Sequence, residues 1–178
     1  MPGLDKLRSE RVWVAWNSDG GRKVPKTAGG NARSNDPSTW LTYGEASALA
    51  SEMGYSGVGV MLSGGLTGID LDGCVEDGAI APWAQDVIDK IASYAEVSPS
   101  GTGVHILCYA DPAKVGAVGR ADHARGIEVY NHGRYFTVTG DEVGGGTEIA
   151  DCTGELSSFV ADAFPSESAE DSAERAVG

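Results

Sequence analysis

The sequence predicts an α+β fold: a mostly antiparallel sheet with flanking helices and a smaller N-terminal α/β unit. Three observations carry this. Short apolar or alternating runs recur at residues 12–16, 58–62, 66–72, 104–109, 127–130 and 134–139, the length and pattern of strands. Gly, Ser and Asn clusters separate them. Helical spacing and capping signals interrupt the strands rather than alternating with them one for one, which favours hairpins over parallel βαβ units.

The elements follow in order. Residues 12–16 open the fold as a short strand, and residues 17–33, rich in Gly, Lys and Arg, read as a long loop or irregular hairpin. Asp36-Pro37 has the form of an N-cap followed by proline at the first helical position. Thr42 and Glu45 form a capping box that starts a helix to about residue 53. The runs 58–62 and 66–72, joined by Ser63-Gly64-Gly65, predict a hairpin. Pro82 begins a helix to about residue 94, with Trp83, Val87, Ile88, Ile91 and Tyr94 at helical spacing. A strand at 94–97, a Ser/Gly loop at 98–103 and a buried strand at 104–109 come next. The runs 127–130 and 134–139 predict a second hairpin around Asn131-His132-Gly133, and residues 155–163 a last helix. Residues 1–164 are expected to form the folded domain, and the acidic stretch 165–178, poor in apolar residues, a disordered tail.

Bulk composition narrows the class. A length of 178 residues with 41% hydrophobic content suits one globular domain. No apolar run approaches the ~20 residues of a membrane span, and the N-terminus lacks the apolar core of a secretory signal, so the expected location is the cytoplasm and no membrane partner is expected. Cys74, Cys108 and Cys152 lie far apart and form neither a zinc module nor a disulfide framework, which leaves buried thiols. The net charge of −13 argues against a passive nucleic-acid coat. It is unevenly spread: residues 1–40 hold seven Lys/Arg against four Asp/Glu, and the other residues hold six against 22. The basic N-terminal part is either a nucleic-acid contact or a solvated face.

The chemistry-bearing residues concentrate in three segments. In Gly68-Ile69-Asp70-Leu71-Asp72-Gly73, strand alternation turns Ile69 and Leu71 to the core, while Asp70 and Asp72 project from the other face about 7 Å apart. Two carboxylates so placed suit hard divalent cations, although an acidic turn at a strand end has the same sequence. Glu128, between Ile127 and Val129, repeats the pattern and offers a third ligand. With Asn131-His132-Gly133 as a three-residue turn, Tyr130 pairs with Arg134 and Glu128 with Phe136. Arg134 then either clamps phosphate oxygens or bridges to Glu128. In Ser98-Pro99-Ser100-Gly101-Thr102-Gly103-Val104-His105, a Gly-rich turn provides an anion-binding nest, with hydroxyls of Ser100 and Thr102 and the ring of His105 as further donors.

Taken in order, Asp70-x-Asp72, Ser100-Gly101-x-Gly103-x-His105 and Glu128 within Gly-Ile-Glu-Val-Tyr resemble the catalytic core of the archaeo-eukaryotic primase superfamily. Its primase-polymerases of phages, plasmids and archaeal elements are the nearest in pattern. The runs 24–26, 36–40 and 134–140 add to the likeness, which spans about residues 11–141. The resemblance implies an RRM-like catalytic sheet and template-directed nucleotidyl transfer that makes primers or extends DNA in replication. It implies two Mg²⁺ or Mn²⁺ ions on Asp70, Asp72 and Glu128. The incoming triphosphate would be held by Ser100, Gly101, Thr102, His105 and Arg134, with Lys26 as a nucleotide or template contact. The implied partners are a single-stranded DNA template, nucleoside triphosphates and a replicative helicase on a separate or missing domain, in a prokaryotic cell, with a phage or plasmid as a source of the gene. Where some relatives carry Arg in the glycine loop, this chain has Thr102, and the zinc insert of many relatives is absent. Two other readings of the same residues are a non-catalytic single-strand or origin DNA-binding module, and a metal-dependent nuclease or nucleotide hydrolase.

Overall fold

The computed structural model describes residues 2–165; the acidic tail expected after Pro165 lies outside the described residues. The elements are β1 (Trp13–Asp19), β2 (Arg22–Thr27), β3 (Gly30–Asn31), α1 (Tyr43–Met53), β4 (Gly57–Met61), β5 (Leu66–Leu71), β6 (Val75–Glu76), β7 (Ala79–Ile80), α2 (Pro82–Ile91), β8 (Tyr94–Val97), β9 (Val104–Tyr109), α3 (Pro112–Val115), β10 (Gly119–Asp122), β11 (Ile127–Tyr130), β12 (Tyr135–Val138), β13 (Glu142–Val143) and α4 (Thr153–Ala163). The architecture is mixed α+β, and every strand pair is antiparallel.

Local signals formed as the side chains dictate. Thr42 accepts from the Glu45 amide, and Glu45 Oε2 accepts from the Thr42 amide at 2.7 Å, so the expected capping box starts α1. Gly54 ends α1 in the left-handed conformation. Asp36-Pro37 caps a single 3₁₀ turn, Pro37–Thr39. The basic segment after β1 is an ordered hairpin, with Asp19 paired to Arg22 across Gly20-Gly21.

The strands divide into a five-stranded sheet, ordered β12-β4-β1-β2-β3, a six-stranded sheet, ordered β10-β11-β5-β9-β8-β13, and the small two-stranded hairpin β6-β7. This overturns both hairpins expected from 58–72 and 127–139. β4 pairs with β1 and β12, while β5 pairs with β11 and β9. β11 pairs with β10 and β5 but not with β12, so Tyr130–Arg134 and Glu128–Phe136 are not partners. The reason is burial. β4 and β5 are buried on both faces, so each lies inside a sheet and takes distant strands on both edges. The second connection is tied down by Asn131, which accepts from the Val118 amide and donates to the Gly116 carbonyl. The chain thus crosses between the sheets three times, at 62–65, at 131–134 and again at 139–141 on the way to β13.

One face of the six-stranded sheet (Ile69, Leu71, Val104, Ile106, Ile127, Val129) packs on α2 and α4 through Ile88, Ile91, Leu156 and Phe159. Cys74, Cys108 and Cys152 are buried free thiols in this core, as expected. The opposite face meets the five-stranded sheet through Leu66, Tyr94, Leu107, Trp13, Val60 and Phe136. The sheets approach closely at Gly68. A Cβ there would fall 2.6 Å from the Phe136 ring, so only glycine lets β12 lie on β5.

Gly68→Ala should therefore destabilise the fold by about 1–3 kcal/mol through overpacking. Phe136→Leu in the same chain should recover part of that loss. Urea unfolding midpoints of the two single variants and the double variant give the coupling.

Candidate active site

The register of the six-stranded sheet sets the site. Glu128 on β11 is paired with Asp70 on β5, Asp70 with His105 on β9, and His105 with Glu96 on β8. Directly paired residues point to the same face with Cβ atoms about 4.5–5.5 Å apart. Four ionisable side chains therefore stand side by side in one row, on the face toward the five-stranded sheet. Asp72 continues β5 through its amide bond to the Gly126 carbonyl and falls one step along the same face. It is flanked by two glycines. A Cβ on Gly126 would meet the Asp72 carbonyl at 2.7 Å, and one on Gly103 would lie 3.5 Å from Asp72 Oδ1.

A cavity of about 160 Å³ opens over this row, lined by Lys23, Asp70, His105, Glu128, Tyr130, Arg134, Tyr135, Phe136 and Thr137. Both sheets contribute to it. Among the described residues, the buried side-chain polar atoms without a hydrogen-bond partner are Asp70 Oδ1, Tyr135 Oη and Thr137 Oγ1, and all three residues line this cavity. Unpartnered buried polar groups are costly and call for an explanation.

The electrostatics follow from burial. Desolvation first, then the charges of Asp72 and Glu128, push the Asp70 carboxyl up to about 7, with Lys23 opposing. His105, 5% exposed, is pushed down to about 4 by burial, against the effect of its hydrogen bond to Thr137. Its Nδ1 lies 3.0 Å from the Thr137 carbonyl, which only accepts, so Nδ1 carries the proton. Neutral His105 then presents a bare Nε2 toward Asp70, 3.7 Å from Oδ1, and this approach is not an ion pair. In that tautomer Nε2 accepts a hydrogen bond, and it donates to a phosphate only as the imidazolium.

The structure brings Asp70, Glu128, His105 and Arg134 to one cavity, with Asp72 beside it. Arg134 does not bridge to Glu128; its guanidinium stacks over the Tyr130 ring at 4.9 Å, and the group within 4 Å of Glu128 is exposed His123, at 3.2 Å. Ser100, Gly101 and Thr102 do not line the cavity. Their loop adjoins Asp72 at Gly103, and it is closed on itself: the Gly101 amide donates to the Ser98 carbonyl, the Thr102 amide to Ser100 Oγ, and the hydroxyls of Ser98, Ser100 and Thr102 form a chain. Lys26 also stands apart, bonded to Asn31 Oδ1 at 2.8 Å. Alternation along β2 sends Lys23, not Lys26, to the cavity. Read as a long loop or irregular hairpin, this segment offered no fixed parity by which to choose between them.

Glu96 is a second residue that sequence reading missed. It is 1% exposed and accepts from Tyr94 Oη at 2.7 Å, the Thr139 amide at 3.0 Å and the Gly140 amide at 2.9 Å. Burial raises its pKa against these hydrogen bonds. The carboxylate ties the chain just after β12 to the row, so the strand bearing Tyr135 and Thr137 stays over the acids.

The donor set suits a hard cation in type: three carboxylates, with one carboxylate oxygen buried and unpartnered. The carboxylates are not closed into a chelate, for among the described residues no group of three or more His, Cys, Asp or Glu is drawn together tightly enough to hold a metal ion.

The chain is similar to a protein named DNA primase-polymerase from Nitratiruptor phage NrS-1, with 32% identity over 156 residues. The match takes in 84% of this chain and 22% of the phage protein, so the chain spans about a fifth of that relative's length. No family model matches the chain. Among the described residues, no helix is long and apolar enough to cross a membrane.

Two predictions follow from the row. Because the folded-state pKa of Asp70 is raised, its stabilising contribution is full below about pH 4 and is lost as pH rises through about 7. In EDTA, the stability gained by Asp70→Asn should grow between pH 4 and 7 and level off above, reaching on the order of 2 kcal/mol; thermal unfolding across that range checks it. Glu96→Gln should cost about 2 kcal/mol or more in urea unfolding, because the side-chain NH2 that replaces one carboxylate oxygen faces a backbone N–H donor. Glu142→Gln, at its exposed β13 partner, should leave stability unchanged.

Proposed function

We propose that this chain is a catalytic part of a DNA primase-polymerase, carrying out template-directed nucleotidyl transfer to make primers or extend DNA in replication. One observation carries the reading: every unpartnered buried side-chain polar atom among the described residues lies on a residue of a single cavity, which also holds an acidic row and two cations. A cavity with acids on one wall and Lys23, Arg134 and hydroxyls on the other is complementary to a nucleoside triphosphate and its counter-ions. Similarity to the phage DNA primase-polymerase supports the same reading. So does the strand order β11-β5-β9-β8 with α2 crossing from β5 to β8, a split βαβ arrangement that fits an RRM-like sheet.

In this reading Asp70, Asp72 and Glu128 hold two Mg²⁺ or Mn²⁺ ions. Such ions, when bound, acidify an attacking hydroxyl and neutralise charge on the leaving pyrophosphate. Lys23 and Arg134 bind triphosphate oxygens, Arg134 already oriented by its stacking on Tyr130. Tyr135 and Thr137 donate their free hydroxyls to the sugar or phosphates, and Nε2 of neutral His105 takes a hydrogen bond from a nucleotide hydroxyl. The Ser98–Gly103 loop reaches the triphosphate beside Asp72 only by opening its internal bonds. A rigid two-sheet cavity supplies mostly positioning and electrostatics, the main protein contribution in phosphoryl transfer.

The open arrangement of the carboxylates favours one competing reading, a DNA-binding replication module that has kept the fold without catalysis. The two separate in an assay with single-stranded template, Mg²⁺ or Mn²⁺ and labelled nucleotides, with and without primer. The wild type should incorporate nucleotide, and Asp70→Asn or Asp72→Asn should lower incorporation about a hundredfold or more. Full activity in either variant, or metal-independent DNA binding with no incorporation by the wild type, would discard the catalytic reading.

A further inference from the structure

Uncompensated positive charge gathers on one edge of the five-stranded sheet. Among the described residues, Lys6, Arg8, Arg11, Lys90, Lys114 and Arg125 each have a carboxylate within 4 Å. Arg22, Lys23, Lys26, Arg33, Arg120 and Arg134 have none. Four of these six fall between Arg22 and Arg33, three on β2 and Arg33 two residues past β3, and the stretch 13–33 carries only one acid, Asp19. In a chain of net charge −13, cations elsewhere are largely neutralised, and this hairpin is not. It also begins at the candidate active site, because Lys23 lines the cavity. Arg22 and Lys26 share the other face of β2, about 13 Å apart by the strand rise, and Arg33 stands just beyond β3, held by the Arg33 amide bond to Thr39 Oγ1.

We propose that this edge of the five-stranded sheet is a polyanion track: phosphates of a single-stranded polynucleotide follow Arg22, Lys26 and Arg33 and pass round the edge of β2 to Lys23 at the cavity. The identification of the strand as a template rests on the function proposed above; the track itself rests on the uncompensated cations. The acidic body does not forbid it. At 0.1 M salt the Debye length is about 10 Å, so the hairpin's own cations govern the local potential and the more distant acids are screened. Three phosphate contacts to a single strand carry a log–log salt slope of about −2.

The test measures binding of a labelled oligothymidylate by fluorescence anisotropy in EDTA, without nucleotides, over a range of KCl concentrations. The wild-type chain should bind with a slope of at least about −2. The variant Arg22→Gln/Lys26→Gln/Arg33→Gln should lose roughly tenfold or more in affinity and flatten the slope by about 2. The same charge removed at ion-paired positions, Lys6→Gln/Lys90→Gln/Lys114→Gln, should change affinity by less than about twofold. Should the triple variant unfold, Arg22→Gln/Arg33→Gln, at two exposed positions, must still show a loss several times that of the ion-paired control. Equal losses in both triple variants, an unchanged slope, or a wild type that binds phosphatidylserine vesicles but no oligonucleotide overturns the track. A wild type that binds the strand through these residues yet incorporates no nucleotide leaves the track standing and removes the catalytic reading.

Discussion

The arrangement depends on placing four ionisable groups in register on one face of a sheet and covering that face. Glu128, Asp70, His105 and Glu96 stand on adjacent strands, where mutual repulsion and loss of water both penalise charge. The molecule meets this unevenly. At the covered end Glu96 is satisfied by a tyrosine hydroxyl and two amides, and burial holds His105 neutral while its bond to Thr137 fixes the tautomer. At the open end Asp70 keeps an unpartnered oxygen, and its carboxyl is raised to about 7. Strain is concentrated where a cavity gives access and removed where none does, the distribution expected of a binding site rather than of a structural network.

The cover is itself built by close backbone approach. β12 lies on the six-stranded sheet because Gly68 has no side chain to hold Phe136 away. The same strand brings the Thr137 carbonyl to His105 and leads into the Thr139 and Gly140 amides that bind Glu96. One four-residue strand of the five-stranded sheet therefore orients the residues of the other sheet, and its Tyr135 and Thr137 hydroxyls remain free toward the cavity. Neither sheet alone contains the site.

Local features were legible in the sequence, and long-range pairing was not. The Thr42–Glu45 capping box, the Pro82 helix start and the alternation that turns Asp70 and Asp72 to one face rest on interactions within a few residues, and each appears in the fold. The meeting of Glu128 with Asp70 was expected from chemistry, and it came about through direct β11–β5 pairing. The two false hairpins had one cause: neighbouring strands were taken to pair, whereas burial on both faces marks β4 and β5 as interior strands with four distant partners between them. The other misses follow from that. Lys23 was passed over because its segment, read as a long loop or irregular hairpin, gave no strand register from which to choose a facing residue. Glu96 was passed over because an acid in the run Tyr94-Ala95-Glu96-Val97 has no sequence signal of burial; its partners lie more than 40 residues away at Thr139 and Gly140.

The repeated passage between sheets also bears on how the chain reaches its native state. β4 has its outer edge completed only by β12, whose residues come some 75 positions later. Until those residues leave the ribosome, β4 is a buried-type strand with one bare edge, and the first sixty residues cannot finish their own sheet. Non-local closure of this kind raises contact order and slows folding. It also makes the nascent N-terminal half an adhesive intermediate, with an open strand edge available to other chains.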